Sequence, residues 1–508
     1  MKLPQAFDEL FWLFRPHFQR PQTFARARAL AYSHLVTYGR RTISRLICSK
    51  NTHHQDWSAD YRFFSRSVWD PHALFHELFK ASLEYSEWPN NVILCTLDAS
   101  LGKKTGKTIP GVATLRDPMS LPYHTNLVRG LRYVAASVVV GPVQHLEYHR
   151  ALPVYLEVAP PAKKPRKNAS ETEKHRYQQE KKRQNLSVQG RQAVFRLREH
   201  ADALADGTSR IVVVTVDGSF CNRHFFKELP SGVIVIARAR KDMKLFKPAE
   251  TLTRQGKGRR RIYGERLPTP DAIRKDTKTY PWQRMRVYAA GKYHQLRYKS
   301  IGPVLWRQGT RGRPMRLLII APLRYRKSKN SRLLYRKPAY FLVEDHQLSD
   351  ELLIQYYFLH WDIEVNHRDA KSLLGLYDAQ VRSENSVKRI PQFNALIYSS
   401  LLLAGLRAYG PQRTDDYLPL PKWRKAVNRR ASTLDILAQF RREIMYTQLK
   451  TELSLANNNS KPKKKNRRKR PRSNIEAKKR GFIDENKEQR SVLKLPVNLI
   501  SALLYAYA

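Results

Sequence analysis

The 508 residues predict an α/β protein: a mixed sheet with flanking helices, interrupted by a β-rich insertion and preceded by a helical segment. Three observations lead there. Apolar residues recur every three or four positions from Phe24 to about Glu87, short apolar runs bounded by glycine or carboxylate take over at Asn91, and helical spacing returns at Ser349. The boundaries drawn from these changes are 1–90, helical; 91–231, strands and a helix; 232–340, β-rich; 341–410, helical; and 411–508, helices followed by a basic tail.

In the first segment Leu30, Leu35 and Val36, then Trp69, Leu74, Phe75, Leu78 and Phe79, mark helix faces. The stretch ALAYSHLVTYGRRTISRLICSK reads as a helix, a turn at Gly39 and a second helix started by Thr42, with Arg40, Arg41 and Arg45 at its N-terminal end. That is the outline of a helix-turn-helix, so the segment is expected to bind DNA. NVILCTLD, GLRYVAASVVVG and RIVVVTVDGSF follow as strands, with GKKTGK between the first two as a turn. Residues 160–184 are polar with alternating charge and are expected to form an exposed loop leading into a helix. Alternating runs such as RMRVYAAGKYHQLRY and MRLLIIAPLRY fill the β-rich stretch. At the far end, 12 of the 20 residues from Lys461 to Arg480 are basic, which predicts a disordered tail that grips phosphates without reading bases.

With 42% hydrophobic and 10% aromatic residues, the chain has material for real cores, and global disorder is excluded. Lys and Arg number 94 against 43 Asp and Glu, a formal charge of +51 whose self-repulsion calls for a polyanionic partner, nucleic acid first. Cys48, Cys95 and Cys221 lie far apart with no CxxC pair, which speaks against a disulfide framework or a cysteine zinc site. The apolar stretch from Phe393 to Leu406 is shorter than the ~20 residues a bilayer span needs, and acids interrupt the N-terminal apolar run, so a soluble intracellular protein is expected. Neither GxxxxGK[ST], HExxH nor GxSxG occurs, which argues against a P-loop, a zinc protease of that type or a nucleophile elbow.

Two apolar runs close on aspartates, Asp98 in LCTLDAS and Asp217 in VVTVDGS, which would deliver both to the carboxyl edge of a sheet. An aspartate after a strand is more often a turn former, so the weight falls on a third element, LLIQYYFLHWDIEVNHRDAKSLLGL. At 100° per residue, Tyr357 and Lys371 fall within about 20° of Glu364, and His360 and Arg368 within about 40°. One face thus carries a carboxylate with a phenol, an imidazole and two cations, while Asp362 and Asp369 point away. A solvated face with an i,i+4 ion pair between Glu364 and Arg368 is the plain alternative, and the Leu and aromatic content, which favours burial, weighs against it.

Asp98, Asp217 and Glu364, the last inside Tyr357-x2-His360-x3-Glu364-x6-Lys371, resemble the DDE triad and Tyr-x2-Arg-x3-Glu-x6-Lys signature of insertion-sequence transposases. The branch is similar to insertion-sequence families 4 and 701, and His360 stands where that signature has arginine. The resemblance spans roughly residues 91–405 and implies an RNase H-like mixed sheet, with the β-rich stretch as its insertion domain. It implies that Asp98, Asp217 and Glu364 hold two Mg²⁺ or Mn²⁺ ions, the choice hard oxygen ligands favour. It also implies that Tyr357 and Lys371 contact DNA phosphates, with His360 and Arg368 on the same face to assist. Histidine is a weaker cation than arginine near neutral pH and lacks its fork. Trp282 and Trp306 are candidates for stacking on an extruded base, against the commoner role of Trp as packing. The implied partners are double-stranded DNA, as element ends and target, and a second copy of the chain on that DNA. The implied setting is a bacterial cytoplasm with no membrane contact. The rival reading is a catalytically silent DNA-binding protein descended from a transposase; a basic RNA-packaging protein would explain the charge but not the face around Glu364.

Overall fold

The computed structural model describes residues 2–459, apart from 107, 118–119, 122, 205–209, 250–260, 290, 311, 327–329, 345–346 and 423–429. The basic tail and most of the TRQGKGRRRIYG loop therefore lie outside the described residues.

Five helices open the chain: α1 (Leu3–Trp12), α2 (Pro21–Val36), α3 (Ile43–Ser49), α4 (Ser58–Ser65) and α5 (Pro71–Leu83). Proline at the first turn starts α1, α2 and α5, where its missing N–H costs nothing. Their apolar faces do not close on themselves. Phe7, Leu30, Phe63, Phe75 and Phe79 join a cluster that continues through the sheet to Phe393, Leu401 and Phe440.

The central strands are β1 (Val92–Lys103), β2 (Ala113–Arg116), β3 (Leu127–Val140) and β4 (Arg150–Val158). After α6 (Glu171–Arg183) and α7 (Leu186–Asp202) come β5 (Ile211–Val216), the single turn α8 (Arg223–Phe226) and β6 (Val233–Arg238). β3 pairs antiparallel with β1, β2 and β4, whereas β1, β5 and β6 run parallel. α6 has no buried residue and rests on a capping box at Ser170 and Glu173, in keeping with the charged helix expected there.

The β-rich stretch supplies β7 (Phe246–Pro248), β8 (Tyr263–Arg266), α9 (Pro270–Lys275), β9 (Gln283–Ala289), β10 (Lys292–Leu305), β11 (Pro314–Ile320), β12 (Arg324–Tyr325), β13 (Leu334–Tyr335) and β14 (Ala339–Val343). Except for the β12–β13 ribbon, these strands extend the same sheet, because β14 pairs antiparallel with β6 and β11, and β11 with β10. The sheet order is β2-β3-β1-β5-β6-β14-β11-β10-β7-β8, with β4 on β3 and β9 on β10.

Four helices complete the described residues: α10 (Asp350–Leu359), α11 (Trp361–Ser372), α12 (Glu384–Tyr409) and α13 (Thr433–Asn459). The sheet's faces are covered differently. Ile93, Cys95 and Leu97 of β1 pack in the cluster that includes α7 and α12, whereas Val92 and Leu94 belong to a second cluster with Leu353, Ile354, Tyr356 and Leu359 of α10. α12 is buried over most of its length, which explains its apolar composition, and no described helix is long and apolar enough to cross a membrane.

Candidate active site

β1 and β5 carry the same local pattern, Leu94-x-Thr96-x-Asp98 and Val213-x-Thr215-x-Asp217. The two strands are parallel neighbours, and their register pairs Leu94 with Val213 and Thr96 with Thr215. Two residues on, Asp98 and Asp217 follow on the same face, since side chains on a strand repeat with period 2, with neighbouring backbones about 4.8 Å apart. One expectation is corrected here. β1 does not stop at Asp98 but runs on to Lys103, with Asp98 opposite Ala135 of β3, because Leu101 and Gly102 continue the ladder with β3. Asp217 does lie just past its strand and is held there by its own turn, accepting from Ser219 N (3.0 Å) and Ser219 Oγ (2.6 Å).

The helix expected to be continuous is two. α10 and α11 meet at His360, where His360 N donates to Tyr357 O and Ile363 N to His360 O, both at 3.1 Å and both over three residues instead of four. The tightened turn sends the His360 ring inward, its Nδ1 3.0 Å from Thr215 Oγ1, while Tyr357 stacks on it with ring centres 5.6 Å apart. His360 is 8% exposed. Burial lowers its proton affinity despite Asp98 and Asp217, so the ring is neutral near pH 7 and faces the end of β5, not solvent.

Glu364 lies on the exposed face of α11, so the burial expected from the aromatic run applies to the other face, with Ile363, Asn366, His367, Asp369 and Ala370. Its carboxyl is nevertheless held above the ordinary range by partial desolvation and by Asp98, then Asp217, against the opposing pull of His367 and Lys371. Lys371 in turn is lowered by desolvation, although Glu364, Asp98 and Asp117 favour its charge. The Tyr357 phenol is pushed up by burial and by Asp217 and Asp98. Asp98 and Asp217 thus influence Glu364, Tyr357 and His360, and Asp98 and Glu364 influence Lys371, so these side chains share one electrostatic neighbourhood beside β1 and the end of β5.

Arg368 is not part of it. Its Nε donates to Asp369 Oδ1 at 2.9 Å, so the Glu364–Arg368 pair weighed from sequence does not form. Trp306 is buried edge-on to Phe226 and covers Gly309, which makes it core, and Trp282 is half-buried between Arg297 and Lys299 at 5.5 and 4.5 Å. In the N-terminal segment the Gly39 turn and Thr42 cap are present, but Arg41 donates its backbone N–H to Asp378 Oδ2 and turns its guanidinium inward to the end of α2, leaving Arg45 as the basic residue exposed on α3.

His367 was missed. It is buried, with Nε2 3.5 Å from Asp98 Oδ2, too long for a hydrogen bond but close enough for charge to matter. Its spacing carries a signal: it lies seven residues from His360 and three from Glu364, about 60° round the helix and beyond the arc of about 40° that holds Tyr357, His360, Arg368 and Lys371.

The donor set, three carboxylates with no thiol, suits a hard divalent cation. As the side chains lie, no three His, Cys, Asp or Glu among the described residues close on a single ion position. Asp217 is engaged by Ser219, and Asp98 leans toward His367.

A protein-family model described as DDE superfamily endonuclease matches residues 13–313. The match takes in both aspartates and ends before α10 and α11. No curated protein matches the chain.

Proposed function

The chain belongs to the DDE superfamily endonucleases, whose family model covers more than half of it, and from that premise we propose that it is a DNA transposase that cuts element ends and joins them to a target. The observation that carries this reading is the shared Thr-x-Asp pattern of the adjacent parallel strands β1 and β5, whose aspartates lie near enough to Glu364 to raise its carboxyl, in a strand order that fits an RNase H-like core. Asp98, Asp217 and Glu364 would hold Mg²⁺ or Mn²⁺, which supplies activation of the attacking oxygen and stabilisation of the leaving one. Acids drawn together on an ion would repel without it; a pair at about 4 Å costs roughly 4 kcal/mol at an effective dielectric of 20.

The remaining residues bind and position. Lys371 offers an exposed ammonium to a phosphate beside the acids, and Tyr357 borders the same point with a phenol that stays protonated. His360, neutral and turned to Thr215, fixes the end of β5 instead of gripping DNA, so the phosphate contact that the resemblance gives to arginine falls to Lys371. Arg238, at the end of β6, lies near enough to Tyr357 to influence its phenol and adds a second cation. The proposed partners are duplex DNA and a second copy of the chain assembled on it.

Cleavage of supercoiled plasmid with Mg²⁺, Mn²⁺ or EDTA tests the reading. Wild type should nick only with metal; Asp98→Asn, Asp217→Asn and Glu364→Gln should each lose at least 100-fold in rate, roughly the loss of a principal electrostatic stabiliser, while still binding DNA. Cleavage that survives in any of the three removes the triad. Equal binding without cutting by wild type, even on authentic element ends, favours the silent DNA-binding protein.

A further inference from the structure

Next to Lys371, a cavity of about 400 Å³ opens between the α2–α3 turn, the end of α11 and the first turns of α13. Its charged lining is one-sided: Arg40, Arg41, Lys371 and Arg441 face a single acid, Asp378. Lys104 adds to the excess from behind, with Nζ donating to Tyr377 O (2.6 Å) and Ala379 O (2.7 Å).

Part of this charge has a structural use. Arg41 donates through Nε to His34 O (3.0 Å) and through Nη1 to Gly39 O (3.1 Å); Arg441 donates to Leu35 O (2.8 Å) and Thr37 O (2.9 Å). The two guanidiniums thus close the carboxyl end of α2, where its dipole favours cations. Capping does not account for the rest. Arg41 is buried and pushed down to about 10, first by desolvation and then by Arg441, which marks like charges forced together. Lys104 is pushed down to about 8, by desolvation and by Arg40, against the pull of Asp378. Arg40 and Lys371 are exposed and form no ion pair among the described residues, with the Lys371 ammonium over the Tyr377 ring at 5.7 Å.

We propose that this cavity is a second phosphate site, which takes one backbone phosphate of the DNA strand running past Lys371 and so fixes the strand's path between the N-terminal helices and α13. The inference rests on the DNA-binding reading above and extends it to residues outside the acidic site. A phosphodiester suits it because the cavity offers cations from three separate elements with no base-reading amide or carboxylate pair, and because Lys371 belongs to both sites.

The test uses the full chain in EDTA, so that cleavage plays no part. Affinity for a labelled duplex is measured across a salt series for wild type, Arg40→Ala and Arg40→Lys. Loss of one phosphate contact should weaken Arg40→Ala several-fold and reduce the slope of log K against log salt by about 0.9, with Arg40→Lys close to wild type. Duplexes carrying a neutral methylphosphonate at one position at a time should show one position where wild type loses affinity and Arg40→Ala does not. Unchanged slope and affinity in Arg40→Ala overturn the proposal. Inorganic phosphate that raises the thermal midpoint of wild type but not of Arg40→Ala, with the DNA slope unchanged, also overturns it in favour of a free-anion site. Either result leaves metal-dependent cleavage by wild type intact, whereas a wild type that neither binds nor cuts duplex removes the proposed function and this site together.

Discussion

Glu364 is a carboxylate whose surroundings work against its charge, although the proposed function needs that charge. Desolvation and the nearby Asp98 raise its carboxyl above the ordinary value, so the folded chain keeps the proton to higher pH than the unfolded chain does. Stability therefore falls as pH rises from the unfolded value through the folded one, and it stays lower above that window. Glu364→Gln removes this cost. Measured in EDTA at neutral pH, the variant should have a higher thermal midpoint than wild type, and the difference should close below the unfolded carboxylate range. Divalent metal should raise the wild-type midpoint more than that of the variant, because it binds the ionised form. A variant less stable than wild type at neutral pH in EDTA would mean that Glu364 is not strained by its neighbours.

α11 carries Glu364, and its position depends on a buried polar network that joins four elements. Asn366 Nδ2 donates to Ser137 Oγ of β3 (3.2 Å) and Ala151 O of β4 (3.0 Å), and Tyr398 of α12 donates its hydroxyl to Asn366 Oδ1 (3.1 Å). At the start of the helix, Asp362 accepts from both terminal nitrogens of Arg430, at 2.7 and 3.0 Å. Tyr398→Phe leaves the Asn366 carbonyl buried without that donor, so it should cost about 1–3 kcal/mol in denaturant unfolding. The Tyr398 hydroxyl also meets Thr433 Oγ1 of α13 (3.2 Å), but it reaches Glu364 through α11, so the cleavage rate should fall while duplex affinity holds; equal stability and rate in Tyr398→Phe would show the network to be idle. None of this was legible from sequence, because Asn366, Ser137 and Tyr398 are linked by tertiary packing and share no local pattern. What could be read was local. The apolar runs before Asp98 and Asp217 read as strands, and Tyr357, Glu364 and Lys371 have helical spacing. The inward turn of His360 could not be read, since it follows from a backbone tightening that periodicity assumes away. Nor did composition indicate that the β-rich strands would extend one sheet, because edge pairing between β6 and β14 joins residues about a hundred positions apart.

Across the whole molecule, a formal charge of +51 makes the fold sensitive to any further protonation of buried groups. His149 is 2% exposed, stacked on Trp88 with ring centres 4.6 Å apart, and burial lowers it to about 4 although Asp362 and Glu147 favour its charge; Arg430 opposes them. His200, packed against Phe79 and facing His76, His72, Arg196 and Asp70, is lowered to about 3, again chiefly by burial. For both, the unfolded chain binds the proton first. Their contribution is therefore complete above the ordinary histidine range near 6.5 and is lost as pH falls toward the folded values. At about 1.4 kcal/mol per tenfold change in proton affinity, His149 alone is worth on the order of 3 kcal/mol. The chain should thus lose stability between about pH 6.5 and 4, ahead of general carboxylate protonation, in urea unfolding followed by tryptophan fluorescence. His149→Gln should flatten that stretch of the pH profile while lowering stability at pH 7 through the lost stack on Trp88. A wild-type profile level down to pH 4.5 would show that neither histidine resists protonation in the fold.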